Sequence, residues 1–261
     1  MVQAVPDILA RIVETKRDTL AETYRRRDEL ERHAEERTDF RDFCAALRSC
    51  SPAIIAEIKK GSPSKGTFTH RFDPASIARS YASGGAAALS VLTDSQYFQG
   101  SLADLETARA AAPVPVLRKD FTIDEVQVIE AAAHGADAIL LIAAILDETE
   151  MRRLRELAAR YRMAALVEVH DEYELGPALA SGAEIVGVNN RNLHTFDVTL
   201  ETSLRLAEKI PARVVKVSES GLHSRTAIEQ LQAAGFQAFL IGEHLMKAAD
   251  PVGALKGLLG C

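Results

Sequence analysis

From residue 54 to the end of the chain, short apolar runs alternate with longer stretches in which apolar positions recur every three or four residues. The runs cover residues 54–59, 86–91, 115–119, 138–142, 164–169, 184–189, 213–218 and 237–241. Their length and their content of Val, Ile and Leu predict strands buried on both faces. Between them the periodicity predicts helices over 74–83, 102–111, 124–133, 148–161, 172–181, 200–209 and 224–234, with a last one after Pro251. Gly84-Gly85, Gly135, Gly182 and Gly235 stand where helices would end, which is C-cap chemistry. Eight strand–helix units within about 200 residues are what a closed (β/α)8 barrel of the TIM type needs, an α/β fold, whereas an open doubly wound sheet more often has five or six strands.

The first fifty residues follow a different pattern. Ile8, Leu9, Ile12, Val13 and Leu20 keep helical spacing after a Pro6-Asp7 start signal. Residues 25–37 are dense in both charges, which predicts a solvated helix face. Phe40, Phe43, Cys44 and Leu47 mark a short helix with Asp39 as its expected cap, ended by Ser51-Pro52. Residues 1–52 therefore read as a helical extension packed on a barrel over 53–261.

Polar residues interrupt the apolar runs at their C-terminal ends, where barrels of this kind carry their chemistry. Glu57 and Lys59 are two apart on the first strand and so share a face. Ionised groups are seldom buried there without a polar cavity. The third strand ends in Arg118-Lys119-Asp120-Phe121, the fifth in Glu168-Val169-His170, the sixth in Asn189-Asn190-Arg191 and the seventh in Ser218-Glu219-Ser220-Gly221. Converging on one mouth, they predict a cavity with several carboxylates and ammonium groups, the setting for tuned acids and bases. The plainer alternative is a set of independent salt bridges capping the barrel.

Composition narrows the function. The chain has 261 residues, 47% of them hydrophobic, and 31 Lys and Arg against 37 Asp and Glu. A net charge of −6 gives no basic excess for nucleic acid or a membrane surface, so an anionic ligand must be drawn by local groups. Cys44, Cys50 and Cys261 form no disulfide framework, and neither they nor the seven scattered histidines have metal-ligand spacing; no metal site is expected. With no signal sequence and no apolar run near ~18 residues, a cytoplasmic protein is expected. Oligomeric state is left open, a monomer being allowed. Ser62, in the Gly-Ser-Pro-Ser-Lys-Gly segment after the first strand, together with Ser220-Gly221 and Gly242, offers hydroxyl and backbone N–H donors at positions where barrels often hold phosphate. Glu243 would repel a phosphate, so its side chain is expected to turn away.

The segment Ala56-Glu57-Ile58-Lys59-Lys60-Gly61-Ser62-Pro63-Ser64-Lys65-Gly66 closely resembles the signature of the indole-3-glycerol phosphate synthase family. Further matches follow in family order: Leu92-Thr93-Asp94, Tyr97 to Ser101, Leu117 to Phe121, Leu166 to His170, Gly187 to Leu193, Val217 to Gly221 and Leu240 to Gly242. Two departures are small: Gly61 where alanine or another small residue is usual, and Thr69-His70-Arg71 before Phe72-Asp73-Pro74 where an acidic residue is common.

The resemblance implies a cofactor-free enzyme of tryptophan biosynthesis. Its phosphorylated small-molecule substrate would be 1-(2-carboxyphenylamino)-1-deoxyribulose 5-phosphate, closed to indole-3-glycerol phosphate with loss of CO2 and water. It implies Lys119 as general acid, with Glu168 as the partner that takes up a proton or stabilises charge at the anilino nitrogen. Glu57, Lys59, Glu219 and Asn189 complete the catalytic set. Arg191 would orient substrate, Ser62, Ser220, Gly221 and Gly242 would cradle phosphate, and Phe98, Phe121, Leu140, Ile142 and Leu193 would wall the aromatic ring. For each of these five, plain core packing is an equal reading. The extension would lie near the mouth and help to cover substrate. Two other functions stay in view. A phosphoribosylanthranilate isomerase would share the phosphate end but is not expected to carry the Glu57/Lys59 strand, and a barrel that only binds would show gaps in the charged set.

Overall fold

A computed structural model describes residues 7–62, 66–67 and 72–260, apart from the side chains of Asp7, Ser62 and Thr67. Pro6, residues 63–65, residues 68–71 and Cys261 lie outside the described residues, and with them much of the segment expected to contact phosphate. Eight parallel strands close a barrel: β1 (Ala53–Ile58), β2 (Ala88–Leu92), β3 (Val116–Lys119), β4 (Ala138–Ile142), β5 (Ala164–Val169), β6 (Ile185–Asn189), β7 (Val215–Glu219) and β8 (Ala238–Ile241). Each pairs with its neighbour in sequence, and β8 returns to β1 through Ala53↔Ala238 to Ala56↔Ile241. A two-stranded hairpin, Gly61–Ser62 with Gly66–Thr67, follows β1.

Alternation along the strands makes two cores. Ile55, Leu117, Leu140, Leu166, Ile185, Val217 and Leu240 fill the barrel, while Ile54, Val91, Val116, Ile139, Val167, Val186 and Phe239 face the helical ring. At about 25 cal/mol per Å² of apolar surface removed from water, these two layers are the main source of stability. The glycine stops behave as their positions require: Gly85, Gly135, Gly182 and Gly235 have φ between 87° and 96°.

Predicted strands differ from the observed ones mainly at their ends. The second starts two residues later because Ala86 N–H bonds back to Tyr81 O at 3.0 Å, and β7 runs from Val215 to Glu219 rather than over 213–218 because Val214 closes a turn on Pro211. Short helices at Ser95–Phe98 and Glu243–Lys247 had no periodic signal, being only 4 and 5 residues long.

The extension forms three helices, α1 (Asp7–Arg25), α2 (Arg27–Glu36) and α3 (Phe43–Ser49). Leu9 and Ile12 of α1 pack at the barrel mouth, Leu30 and Ala34 of α2 are buried along its flank, and Phe43 and Leu47 of α3 plug its base. Two expectations are corrected here. The cap of α3 is Asp42, whose Oδ1 accepts Ala45 N–H at 2.8 Å; Asp39 instead pairs with Arg37 and Arg109. Arg37 is not solvated: its guanidinium is buried against Ala136 O and Asp137, because the chain must cross the barrel base between α2 and α3.

Candidate active site

Strand parity decides which charges meet. Lys59, Lys119, Glu168, Asn189 and Glu219 occupy inward positions at or just beyond the C-terminal ends of their strands; Lys119, Glu168 and Glu219 stand two residues beyond Leu117, Leu166 and Val217, which fill the barrel, while Lys59 follows Glu57 and Asn189 follows Gly187 at the same spacing. Arg118, one residue earlier than Lys119, must point the other way. It is corrected out of the mouth: its guanidinium is buried under the helical ring, bonded to Glu130 at 2.8 Å, Gln127 O at 3.0 Å and Thr93 at 3.1 Å.

Lys119 Nζ sits 2.7 Å from Glu168 Oε2 and 3.4 Å from Glu219 Oε2. Asn189 Nδ2 donates to the second oxygen of Glu168 at 3.1 Å, and Ser220 Oγ donates to Asn189 Oδ1 at 2.9 Å. Across the mouth, Lys59 Nζ lies 2.6 Å from Glu57 Oε1. Burial opposes the charge on Lys119, yet Glu168, Glu219 and Glu57 outweigh it and hold the ammonium above its usual range. Burial likewise works against an ionised Glu168, but Lys119 and His170 keep it a carboxylate well below the ordinary value. For Glu219 burial wins, helped by Glu168 and Glu57 and opposed by Lys119, and its pKa is pushed up to about 8. Its Oε1 finds no hydrogen-bond partner among the described residues.

Two glycines make room for these carboxylates. A Cβ on Gly187 would come within 2.2 Å of Glu219 Oε1, and one on Gly242 within 2.2 Å of Glu57 Oε1. Gly187 is a residue the motifs contained but sequence reasoning left unassigned; a glycine inside an apolar strand is the signal for such close approach.

These side chains open on a cavity of about 720 Å³. Phe98, Phe121, Leu140, Ile142, Leu193, Arg191, Ser220, Gly221 and Gly242 all line it, so fifteen of the sixteen expected site residues come together; Ser62 is placed only by its backbone in the hairpin. Phe98 and Phe121 face each other with ring centroids 6.0 Å apart. Arg191 is spoken for in part, its guanidinium donating to Phe196 O of its own loop at 3.2 Å. Ser220 and Gly221 are both left-handed, φ 66° and 78°, and Asn190 Nδ2 holds Ser220 O at 3.1 Å. Such backbone costs on the order of 1 kcal/mol at a non-glycine residue, and it turns the β7 loop sharply into the cavity. Glu243 pairs with Lys247 at 2.7 Å, and both line the cavity.

Sequence reasoning expected the extension near the mouth but named none of its residues there, nor the histidines that follow the last two strands. Ile8, Leu9 and Ile12 of α1 line the cavity, as do His223 and His244. Lys16 ties α1 to the loops after β2 and β3, 2.9 Å from Asp94 and 2.6 Å from Asp120. Asp120 in turn accepts the Phe121 N–H at 2.8 Å, so one lysine fixes the helix over the aromatic wall.

A profile of the indole-3-glycerol phosphate synthase family matches residues 9–258. The chain belongs to that family. A relative named indole-3-glycerol phosphate synthase from Albidiferax ferrireducens is 51% identical over 258 residues, covering 97% of this chain and 98% of that one. One from Burkholderia vietnamiensis is 51% identical over 255 residues, covering 95% and 97%. Among solved structures, the thiamine phosphate pyrophosphorylase of Pyrococcus furiosus superposes with a TM-score of 0.60 at 15% identity, covering 79% of this chain and 93% of that one. At that identity the likeness speaks for the barrel alone. The synthase family is one of decarboxylating carbon–carbon lyases of tryptophan biosynthesis. Among the described residues, no helix is long and apolar enough to cross a membrane.

Proposed function

We propose that the charged mouth performs the family's ring closure through Lys119, Glu168, Glu57, Lys59, Glu219 and Asn189. In that reaction the ring carbon bearing the carboxylate attacks the ribulose carbonyl. A carbon–carbon bond forms, CO2 leaves from the same ring carbon, and the new hydroxyl departs as water with loss of a proton. The observation that carries the reading is the Lys119–Glu168 pair, an ammonium and a carboxylate 2.7 Å apart at the end of a cavity walled on one side by Phe98 and Phe121.

Lys119, kept protonated by its carboxylate neighbours, donates to the oxygen that develops negative charge. Glu168, kept ionised, takes up a proton or stabilises positive charge at the anilino nitrogen. Lys59 attracts the substrate's anionic groups with Glu57 beside it, and Asn189, bonded to both Glu168 and Ser220, holds the base in place. Arg191 presents a planar fork to the substrate carboxylate and hydroxyls. Ser62, Ser220, Gly221 and Gly242 cradle the phosphate, and Leu140, Ile142 and Leu193 complete the apolar wall that excludes water. The extension, residues 1–52, covers the mouth through Ile8, Leu9 and Ile12 and acts as part of the site.

The test is to mix the purified protein with 1-(2-carboxyphenylamino)-1-deoxyribulose 5-phosphate, chelator present, and follow indole fluorescence. A rise reports closure, decarboxylation and dehydration together. Binding by calorimetry without a rise would contradict the catalytic reading; no binding would contradict the phosphate end as well. Deleting residues 1–45 should raise KM, and an unchanged KM would remove the extension from the site.

A further inference from the structure

Beside the base lies a pair of side chains that the reaction as derived does not use. His170 follows β5 and Glu174 lies one turn into the helix Glu172–Ala180. His170 Nδ1 is 2.9 Å from Glu174 Oε2, and the same oxygen accepts the His170 backbone N–H at 2.7 Å. The ring is thus fixed at both its own nitrogen and its backbone. Its other nitrogen, Nε2, faces Glu168 Oε1 at 3.3 Å, close enough for charge attraction though not aligned as a hydrogen bond. Both side chains are largely buried, 11% and 16% exposed. A neutral imidazole with Nδ1–H bonded to Glu174 would aim a lone pair at the Glu168 carboxylate, and only the doubly protonated ring suits both neighbours.

We infer that His170, locked by Glu174, is a positioning residue that stands as a fixed cation against one oxygen of Glu168 while Lys119 stands against the other. This deepens the proposed role of Glu168 and rests on it. The consequence is chemical. When Lys119 gives up its proton in the reaction, Glu168 loses the charge that keeps it ionised, and His170 supplies the one that stays.

The remaining charged groups around the ring leave this arrangement intact. Asp171 is turned to cap its helix, accepting Tyr173 N–H at 2.8 Å and Glu174 N–H at 3.0 Å. Glu219, on β7, lies behind Lys119 at 3.4 Å. Burial lowers the affinity of the imidazole for its second proton, but Glu168 and Glu174 outweigh burial and push its pKa up to about 10. The ring therefore stays charged through the neutral range.

The experiment is the pH profile of kcat for wild type, His170→Asn, Glu174→Gln and Glu168→Gln, each first checked for wild-type circular dichroism. His170→Asn removes the cation, so protonation of Glu168 moves up, and the acidic fall of kcat should shift to higher pH by about one unit. Glu174→Gln keeps the shape and an acceptor for the His170 N–H but lowers the pKa of the ring. Its alkaline fall of kcat should move to lower pH. Glu168→Gln should lose kcat at least ~100-fold at every pH. Profiles of His170→Asn and Glu174→Gln that superimpose on wild type after scaling, with Glu168→Gln inactive, would overturn the role of His170 and leave the base in place. Near-normal kcat in Glu168→Gln would instead remove the base itself. If His170→Asn fails to fold, the Glu174→Gln alkaline limb decides alone.

Discussion

At the base of the barrel, Asp137 is wrapped by Arg37 and Arg109 and accepts two backbone N–H groups, from Arg41 at 3.2 Å and Val116 at 3.0 Å. The arginines spend their other donors on main-chain oxygens: Arg41 on Ala112 O and Val114 O, both at 2.7 Å, and Arg37 on Ala136 O. At the mouth, Lys119, Glu168, Glu219, Glu57 and Lys59 are nearly as buried but open on a cavity, and Glu219 Oε1 has no hydrogen-bond partner among the described residues. Both clusters take charges out of water. The difference lies in what the leftover donors and acceptors do. Where the backbone takes up most of them, Arg109 Nε excepted, the cluster clamps chain segments together; where they face a cavity, they can serve a substrate.

Removing one member from each cluster should separate the two. Lys119→Ala should lower kcat by about 10³-fold or more, followed by indole fluorescence, while the far-ultraviolet circular dichroism stays that of the folded barrel. Asp137→Ala should do the reverse. It leaves two buried arginines with only the exposed carboxylate of Asp39 and should cost about 3 kcal/mol of stability, lowering Tm by roughly 6–12 °C, with kcat near wild type below the transition. Activity loss in the second that exceeds its unfolded fraction would show that the clusters are not independent.

Lys16 joins the two ends of this contrast, a nearly saturated ion pair placed at the mouth. Lys16→Met should loosen α1 over the aromatic wall and raise KM by about 3–10-fold with a smaller change in kcat, the least of these effects.

How much of this could be read in the sequence follows from the range of each interaction. The (β/α)8 barrel and most helix limits came from local periodicity and Gly or Asp punctuation, which act within a turn or two. Glu57 with Lys59 is also local, a two-residue spacing on one strand, and it did become an ion pair of 2.6 Å. Alternation already implied that Arg118 and Lys119 cannot share a face, yet grouping charged strand ends by proximity put both at the mouth. The Asp137 clamp was out of reach because Arg37 and Asp137 are 100 positions apart and meet only once α2 lies against the helix Glu125–Ala133. For the same reason Arg37 was grouped with the residues of 25–36, which do form a largely exposed helix face. Gly187 stayed silent because its purpose depends on the register that sets β6 beside β7, Gly187 opposite Val217 and Asn189 opposite Glu219.

The central contrast is that the mouth, unlike the base, holds a buried carboxyl whose ionisation the surrounding groups do not compensate. Glu219 tests it most directly, since its pKa in the folded chain is raised from 4.5 to about 8. Below the unfolded value both states hold the proton and the residue costs nothing. As pH rises between the two values, the unfolded chain releases the proton and the folded chain does not, so stability falls until about pH 8 and then levels. Glu219→Gln keeps the shape and removes that titration. The measurement is thermal unfolding of this variant and wild type from pH 5 to pH 9. The expected result is a Tm above wild type by about 2–6 °C at pH 8, with a gap that shrinks toward pH 5, in a variant whose kcat is lower. A Tm equal to or below wild type at pH 8 would contradict it, for Glu219 would then be stabilising the barrel as Asp137 does.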